Sequence, residues 1–183
     1  MPPSGGPPFQ QWGDIMARWP HQNDAPDFYG RNLRVTRGVA GPDPKWERDN
    51  LVLVALPWKA VAAWDRALKI KSLRVHKSCA ESLGRVLADI WRAFGEDQRA
   101  IEAAGMHLIG GGYVWRAMRG GTRLSMHSYG CAVDFDPAHN GLGDPTPTMD
   151  MRVVCAFRAE GWTWGGDWSP RNRDGMHFQA ASV

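Results

Sequence analysis

Two short words late in the chain constrain its fold most: Ser125-Met126-His127-Ser128-Tyr129-Gly130-Cys131-Ala132-Val133-Asp134 and Asp174-Gly175-Met176-His177-Phe178. Together they hold two histidines and two aspartates. A catalytic zinc takes three protein ligands of N or O type and keeps one position open for water, so His127, Asp134 and His177 form a suitable set. If they share one ion, distant segments of the chain must meet.

Strand parity tests this idea. His127 and Asp134 are seven positions apart, which puts them on opposite faces of an unbroken strand. A bend at Gly130 removes the conflict, leaving His127 in a loop while Asp134 points inward from a strand. Asp174 and His177 meet the same difficulty, and Gly175 offers the same relief. Within Cys131–Asp136, Cys131, Val133 and Phe135 alternate with Ala132, Asp134 and Asp136, as a half-buried strand requires. Asp174 is read as the general base that takes a proton from the attacking water. Arg116 is the candidate partner for a developing oxyanion, with Arg119 and Arg123 as rivals. Asp136 shares a face with Asp134 and reads either as an acceptor orienting a ligand histidine or as an exposed acid. Trp164 and Trp168 read either as groove lining or as core. His21, His76, His107 and His139 are not taken as ligands.

The rest of the chain reads as one α+β domain, a small antiparallel sheet with flanking helices and the zinc site on the sheet. Residues 1–50, rich in Pro, Gly, Asn and Asp, form an irregular arm packed on the domain, and residues 51–183 the catalytic domain. Leu51–Leu68 suggests a short strand and then a helix through Lys59–Trp64. Ser78–Phe94 is a helix with a Ser78/Glu81 capping box and apolar residues at helical spacing. Gly105–Trp115 is a strand region. Thr148 caps a helix running to about Glu160 and stopped by Gly161, and Met176–Gln179 is a closing strand.

Composition narrows the classes. With 183 residues, 43% of them hydrophobic, the chain can bury one sizeable core. The most apolar stretch is broken by Pro57, Trp58 and Lys59, so no membrane insertion is expected. Residues 1–8 lack the basic start and apolar core of a secretory signal, so synthesis in the cytoplasm is expected. Three cysteines without a C-x-x-C pair read as free thiols. The net charge of +3 gives a mild pull toward anionic polymers, not enough to name a nucleic-acid partner.

The pattern S-x-H-x-x-G-x-A-x-D, followed by W-G-G-x-W and D-x-x-H-F, resembles the D-alanyl-D-alanine peptidase family of zinc enzymes, over roughly Gly110–Gln179. The resemblance implies zinc on His127, Asp134 and His177, with Asp174 as the catalytic carboxylate, Ser125 bracing the site, and Arg116 binding substrate. Trp168 is a further substrate-binding candidate. Relatives that trim D-alanyl-D-alanine usually carry glutamate at the position of Asp174, so the aspartate favours the branch that cuts the L-alanyl-D-glutamate bond of the peptidoglycan stem peptide. The implied protein is a monomeric phage-type endolysin, held in the cytoplasm until a holin opens the membrane.

A D-alanyl-D-alanine carboxypeptidase is the near alternative. A non-catalytic wall-binding or phage structural module with a structural metal is the distant one, and it has no use for Asp174. The iron site of oxygenases also uses two histidines and a carboxylate, but there the first histidine and the acid form H-x-D or H-x-E. Here six residues intervene.

Overall fold

The computed structural model describes residues 19–183. The first eighteen residues of the expected arm lie outside them. The rest of that stretch holds a short helix α1 (Ala25–Phe28), a hairpin of β1 (Arg34–Thr36) and β2 (Val39–Gly41), and α2 (Pro44–Asn50). Asp43 caps α2 by accepting from the Lys45 N–H, with Pro44 at the first position, where its missing N–H costs nothing.

Next come β3 (Leu51–Ala62) and β4 (Asp65–His76), then α3 (Lys77–Ala93), α4 (Gln98–Ala103) and β5 (Leu108–Gly111). The site-bearing elements follow: β6 (Ala132–Phe135), α5 (Met151–Ala159), β7 (Thr163–Trp164) and β8 (His177–Gln179). β3 to β8 form a six-stranded sheet in the order β4-β3-β5-β6-β8-β7. The α+β class expected from the sequence holds. The small antiparallel sheet is the β1/β2 hairpin, whereas the sheet that carries the site is larger and mixed, because β3 and β5 run parallel.

Residues Lys59–Ala62, expected in a helix, continue β3. Their exposure alternates with a period of two, Ala60 and Ala62 are buried, and Val61 and Ala62 pair with Leu108 and Ile109. Trp58 anchors the strand by donating to the Met106 carbonyl at 3.1 Å. Sheet pairing outweighs the helical preference of alanine.

α3 buries Cys79, Ser82, Leu83, Val86, Leu87 and Ile90 along one face. Its cap is His76 rather than the expected Ser78/Glu81 box: His76 Nδ1 accepts from the Ser78 N–H at 3.1 Å. Burial pushes that imidazole down to about 4, so it stays neutral and able to accept. α5 is capped by Asp150 rather than Thr148, with Asp150 accepting from the Arg152 N–H at 2.9 Å, and it ends before Gly161 at φ +76°. Phe157 on α5 stacks on Phe178 of β8 with ring centroids 4.0 Å apart, so the helix is packed against the back of the site strand.

Gly130 ends a 3-10 turn (Met126–Tyr129) with φ +67°, and its N–H returns to the His127 carbonyl at 3.0 Å. A Cβ there would lie 2.7 Å from the His76 backbone nitrogen and 2.7 Å from a Leu51 methyl. Gly130→Ala therefore meets both left-handed backbone strain and a clash. It should cost about 2 kcal/mol or more, read as a lower urea midpoint at unchanged slope. An unaltered midpoint would show that the turn does not need glycine.

Candidate metal centre

Sheet register brings the two words together. In the β6/β8 pair Asp134 lies directly opposite His177, and the turn before Gly130 returns His127 to the same place. The His127 Nε2 and His177 Nδ1 atoms are 3.1 Å apart, and the Asp134 oxygens lie 3.2 Å and 2.9 Å from them respectively. All three residues are buried, and they could hold a metal ion.

The outer nitrogens decide the chemistry of this cluster. His127 Nδ1 lies 2.8 Å from the Gly112 carbonyl, which can only accept, so the ring proton sits there and Nε2 presents a lone pair. His177 Nε2 lies 3.1 Å from Gln179 Oε1, and the Gln179 amide is turned that way because its nitrogen donates to the Ala181 carbonyl at 3.1 Å. His177 Nδ1 is thereby the free lone pair. Two bare nitrogens and a carboxylate thus converge with no proton assigned between them, an arrangement that repels itself unless a cation sits among them. Without an ion a proton relieves that repulsion: burial alone would lower the His177 imidazole and raise the Asp134 carboxyl, but their pairing reverses both, holding the first above and the second well below its ordinary range. Tetrahedral ligands at zinc distances stand about 3.3 Å from one another, close to the 2.9–3.2 Å separations found. The residues fit such an ion.

A groove of about 730 Å³ opens on one side of the cluster, lined among others by His177, Asp174, Ser125, Trp168, Arg116 and Arg119. Asp174 is half-buried, and burial pushes its carboxyl up. Its Oδ1 is enclosed without a hydrogen-bond partner among the described residues. Two close approaches hold it there. A Cβ on Gly165 would lie 2.4 Å from the Asp174 carbonyl, and one on Gly175 would lie 2.3 Å from Pro147. Gly175 lies in the turn closed by the His177 N–H on the Asp174 carbonyl at 3.1 Å, the bend expected there, and its bare Cα also makes room for Pro147.

Ser125 accepts from the His127 N–H at 3.4 Å. The Trp168 ring is 5.3 Å from that of His177, while Trp164 is buried and donates to the Gly175 carbonyl at 2.7 Å. Arg123 reaches Asn23 instead of the groove. Asp136 does not orient a ligand histidine: strand alternation ends at its φ of +46°, and it binds His139 at 2.9 Å and Asn140 at 3.2 Å. The other histidines stay apart, with His21 and His76 accepting from turn N–H groups and His107 3.5 Å from Arg66.

Several supporting residues were missed from sequence. Gln179 could have been found, since it lies two positions after His177 on one strand and so on the same face. Ser128 and Asn32 gave no such sign. Ser128 Oγ accepts from the Arg116 N–H at 2.9 Å and donates to the Arg116 carbonyl at 2.8 Å, fixing the strand-like segment beside the groove. Asn32, fully buried, donates to the Ser128 carbonyl at 2.8 Å and to Tyr113 Oη at 3.0 Å, and its Oδ1 accepts from the Asp43 N–H at 2.9 Å. The Trp115 indole in turn donates to the Asn32 carbonyl at 2.8 Å.

Residues 119–180, about a third of the chain, match the family model described as D-alanyl-D-alanine carboxypeptidase. The match supports membership of the D-alanyl-D-alanine peptidase family. That family supports a metallopeptidase acting on peptidoglycan. No solved structure gives a significant match to the chain.

Replacing Gln179 by leucine removes the acceptor that fixes the His177 tautomer. Gln179→Leu should lower zinc affinity by about 10- to 100-fold in competition titration against a chelating dye, with secondary structure unchanged. Wild-type affinity would show that the tautomer is set elsewhere.

Proposed function

We propose that this protein is a zinc-dependent peptidoglycan endopeptidase that cleaves the stem peptide, with the L-alanyl-D-glutamate bond as its target and bacterial lysis as its setting. One observation carries the reading: lone pairs of His127, His177 and Asp134 converge beside a groove that also holds an unpartnered carboxylate, Asp174. A purely structural metal site has no need of that fourth group. The preference for the endopeptidase branch rests on aspartate, rather than glutamate, at position 174.

His127, Asp134 and His177 would hold the ion. When bound, zinc supplies Lewis acidity, easing deprotonation of water and polarising the scissile carbonyl. Asp174 accepts the proton that water loses as its oxygen bonds to the carbonyl carbon. Its raised pKa then lets it give that proton to the leaving amine as the C–N bond breaks. Arg116, on the groove wall, binds a carboxylate of the substrate. Ser125 keeps the turn bearing His127 in place, and Trp168 gives the substrate an aromatic wall beside His177. Among the described residues no helix is long and apolar enough to cross a membrane. Release to the wall through a holin-type opening, and action as a monomer, belong to the same proposal.

Chelation should abolish hydrolysis of purified peptidoglycan and zinc should restore it; full turnover by verified metal-free protein would rule the mechanism out. Asp174→Ala should retain zinc while kcat falls by about 10²- to 10⁴-fold. A wild-type kcat in that variant would move the base elsewhere. Mass spectrometry of fragments from a defined muropeptide identifies the bond. A new alanine carboxyl with a D-glutamate amine is expected, and free D-alanine would select the carboxypeptidase instead.

A further inference from the structure

The groove beside the metal-ligand cluster carries more positive charge than one anionic group would use. Its walls include Arg116 and Arg119, on the segment leading to residue 125, and Arg171, on the turn before β8. Two acids share the groove, Asp167 and Asp174. Asp167 is already engaged, since one Arg158 nitrogen meets its two oxygens at 2.8 and 2.6 Å. Among the described residues the Arg116 guanidinium meets only the Ala117 carbonyl, at 3.4 Å, and neither Arg119 nor Arg171 makes an ion pair.

Both loops are closed by their own backbones. Met118 N–H donates to the Arg123 carbonyl at 2.7 Å, with Ala117 and Leu124 bridged behind it, and Asn172 N–H donates to the Ser169 carbonyl at 2.8 Å. The two arginines are therefore held at the rim rather than folded back onto acids of their own. Like-charged guanidiniums around one groove repel, and a carboxylate relieves that repulsion while matching the guanidinium fork with two N–H bonds. A ligand with a single carboxylate fills one fork and leaves the others unmatched.

We propose that the groove recognises a peptide with at least two free carboxylates, Arg119 and Arg171 binding one beyond that held at Arg116. A peptide fits better than a wall phosphate polymer. The Asp174 carboxylate within the groove opposes a uniformly anionic chain, and Met118, Leu142 and Met176 offer apolar wall to the aliphatic arms between carboxylates. The proposal rests on the peptidase reading for the role of Arg116, and it adds that the enzyme distinguishes acidic stem peptides from amidated ones.

The test is calorimetry on zinc-loaded protein with two L-alanyl-γ-D-glutamyl-L-lysine tripeptides, N-methylated at the alanyl-glutamyl amide to block cleavage there. One has the glutamyl α-carboxyl free and the other has it amidated. Amidation should weaken binding to the wild type by about 10-fold or more. In Arg119→Gln and Arg171→Gln, both at exposed positions, the preference should shrink to about twofold or less, with affinity for the amidated peptide little changed. Equal wild-type affinity for the two peptides would overturn the proposal, as would an undiminished preference in both variants. So would tighter, equally arginine-dependent binding of a glycerol-phosphate oligomer, which would assign the charge to a wall polyanion. The peptidase reading fails separately: a protein without zinc-dependent hydrolysis that still prefers the free acid through Arg119 and Arg171 loses the first claim and keeps the second.

Discussion

Two ring protons that point away from the centre govern the whole site. Because His127 gives its proton to the Gly112 carbonyl and His177 gives its own to Gln179, the inward nitrogens are left as lone pairs facing Asp134. A cluster built only for hydrogen bonding would direct at least one of those protons inward, toward the carboxylate. The protein instead concentrates electron density in a buried spot, which a cation among the three groups or a proton on His177 would relieve. The β6/β8 register, the Gly130 turn and the Phe157/Phe178 stack all serve to hold that concentration in place.

The groove side of the cluster follows a different rule. Asp174 is enclosed but has no partner for Oδ1, and the loops around it approach so closely that two glycines are obligatory. Burial has made that carboxyl easier to protonate, which suits the proton transfer proposed for it. The same enclosure explains why arginines collect at the rim and not at the cluster, where Asp134 already serves the histidines.

How much of this could be read from sequence depended on whether the signal was local. The ligand words stood out because polar residues interrupted strand-like segments at positions where glycine permitted a turn. Their meeting followed from one demand, a shared ion. Gln179 obeyed simple strand parity and was open to the same reading. Gly112 was invisible because it acts through a carbonyl that every residue possesses. The β3/β4 hairpin was mistaken at Lys59–Ala62 because an alanine-rich run suits a helix until a partner strand claims it, and β5 lies some forty-five residues away. His76 as a helix cap escaped because its role depends on being neutral, and only burial makes it so.

Asn32 has a consequence for where this protein begins as a working unit. The stretch that matches the family model starts at residue 119, yet the carbonyl that polarises His127 belongs to Gly112, and the turn bearing that histidine is tied through Ser128 to an asparagine near the front of the chain. A transplant cut to the matched stretch would carry every candidate metal-binding side chain and leave behind the framework that orients the first of them. The framework of the candidate metal site is thus longer than the matched stretch, and Asn32 in the early segment is part of it.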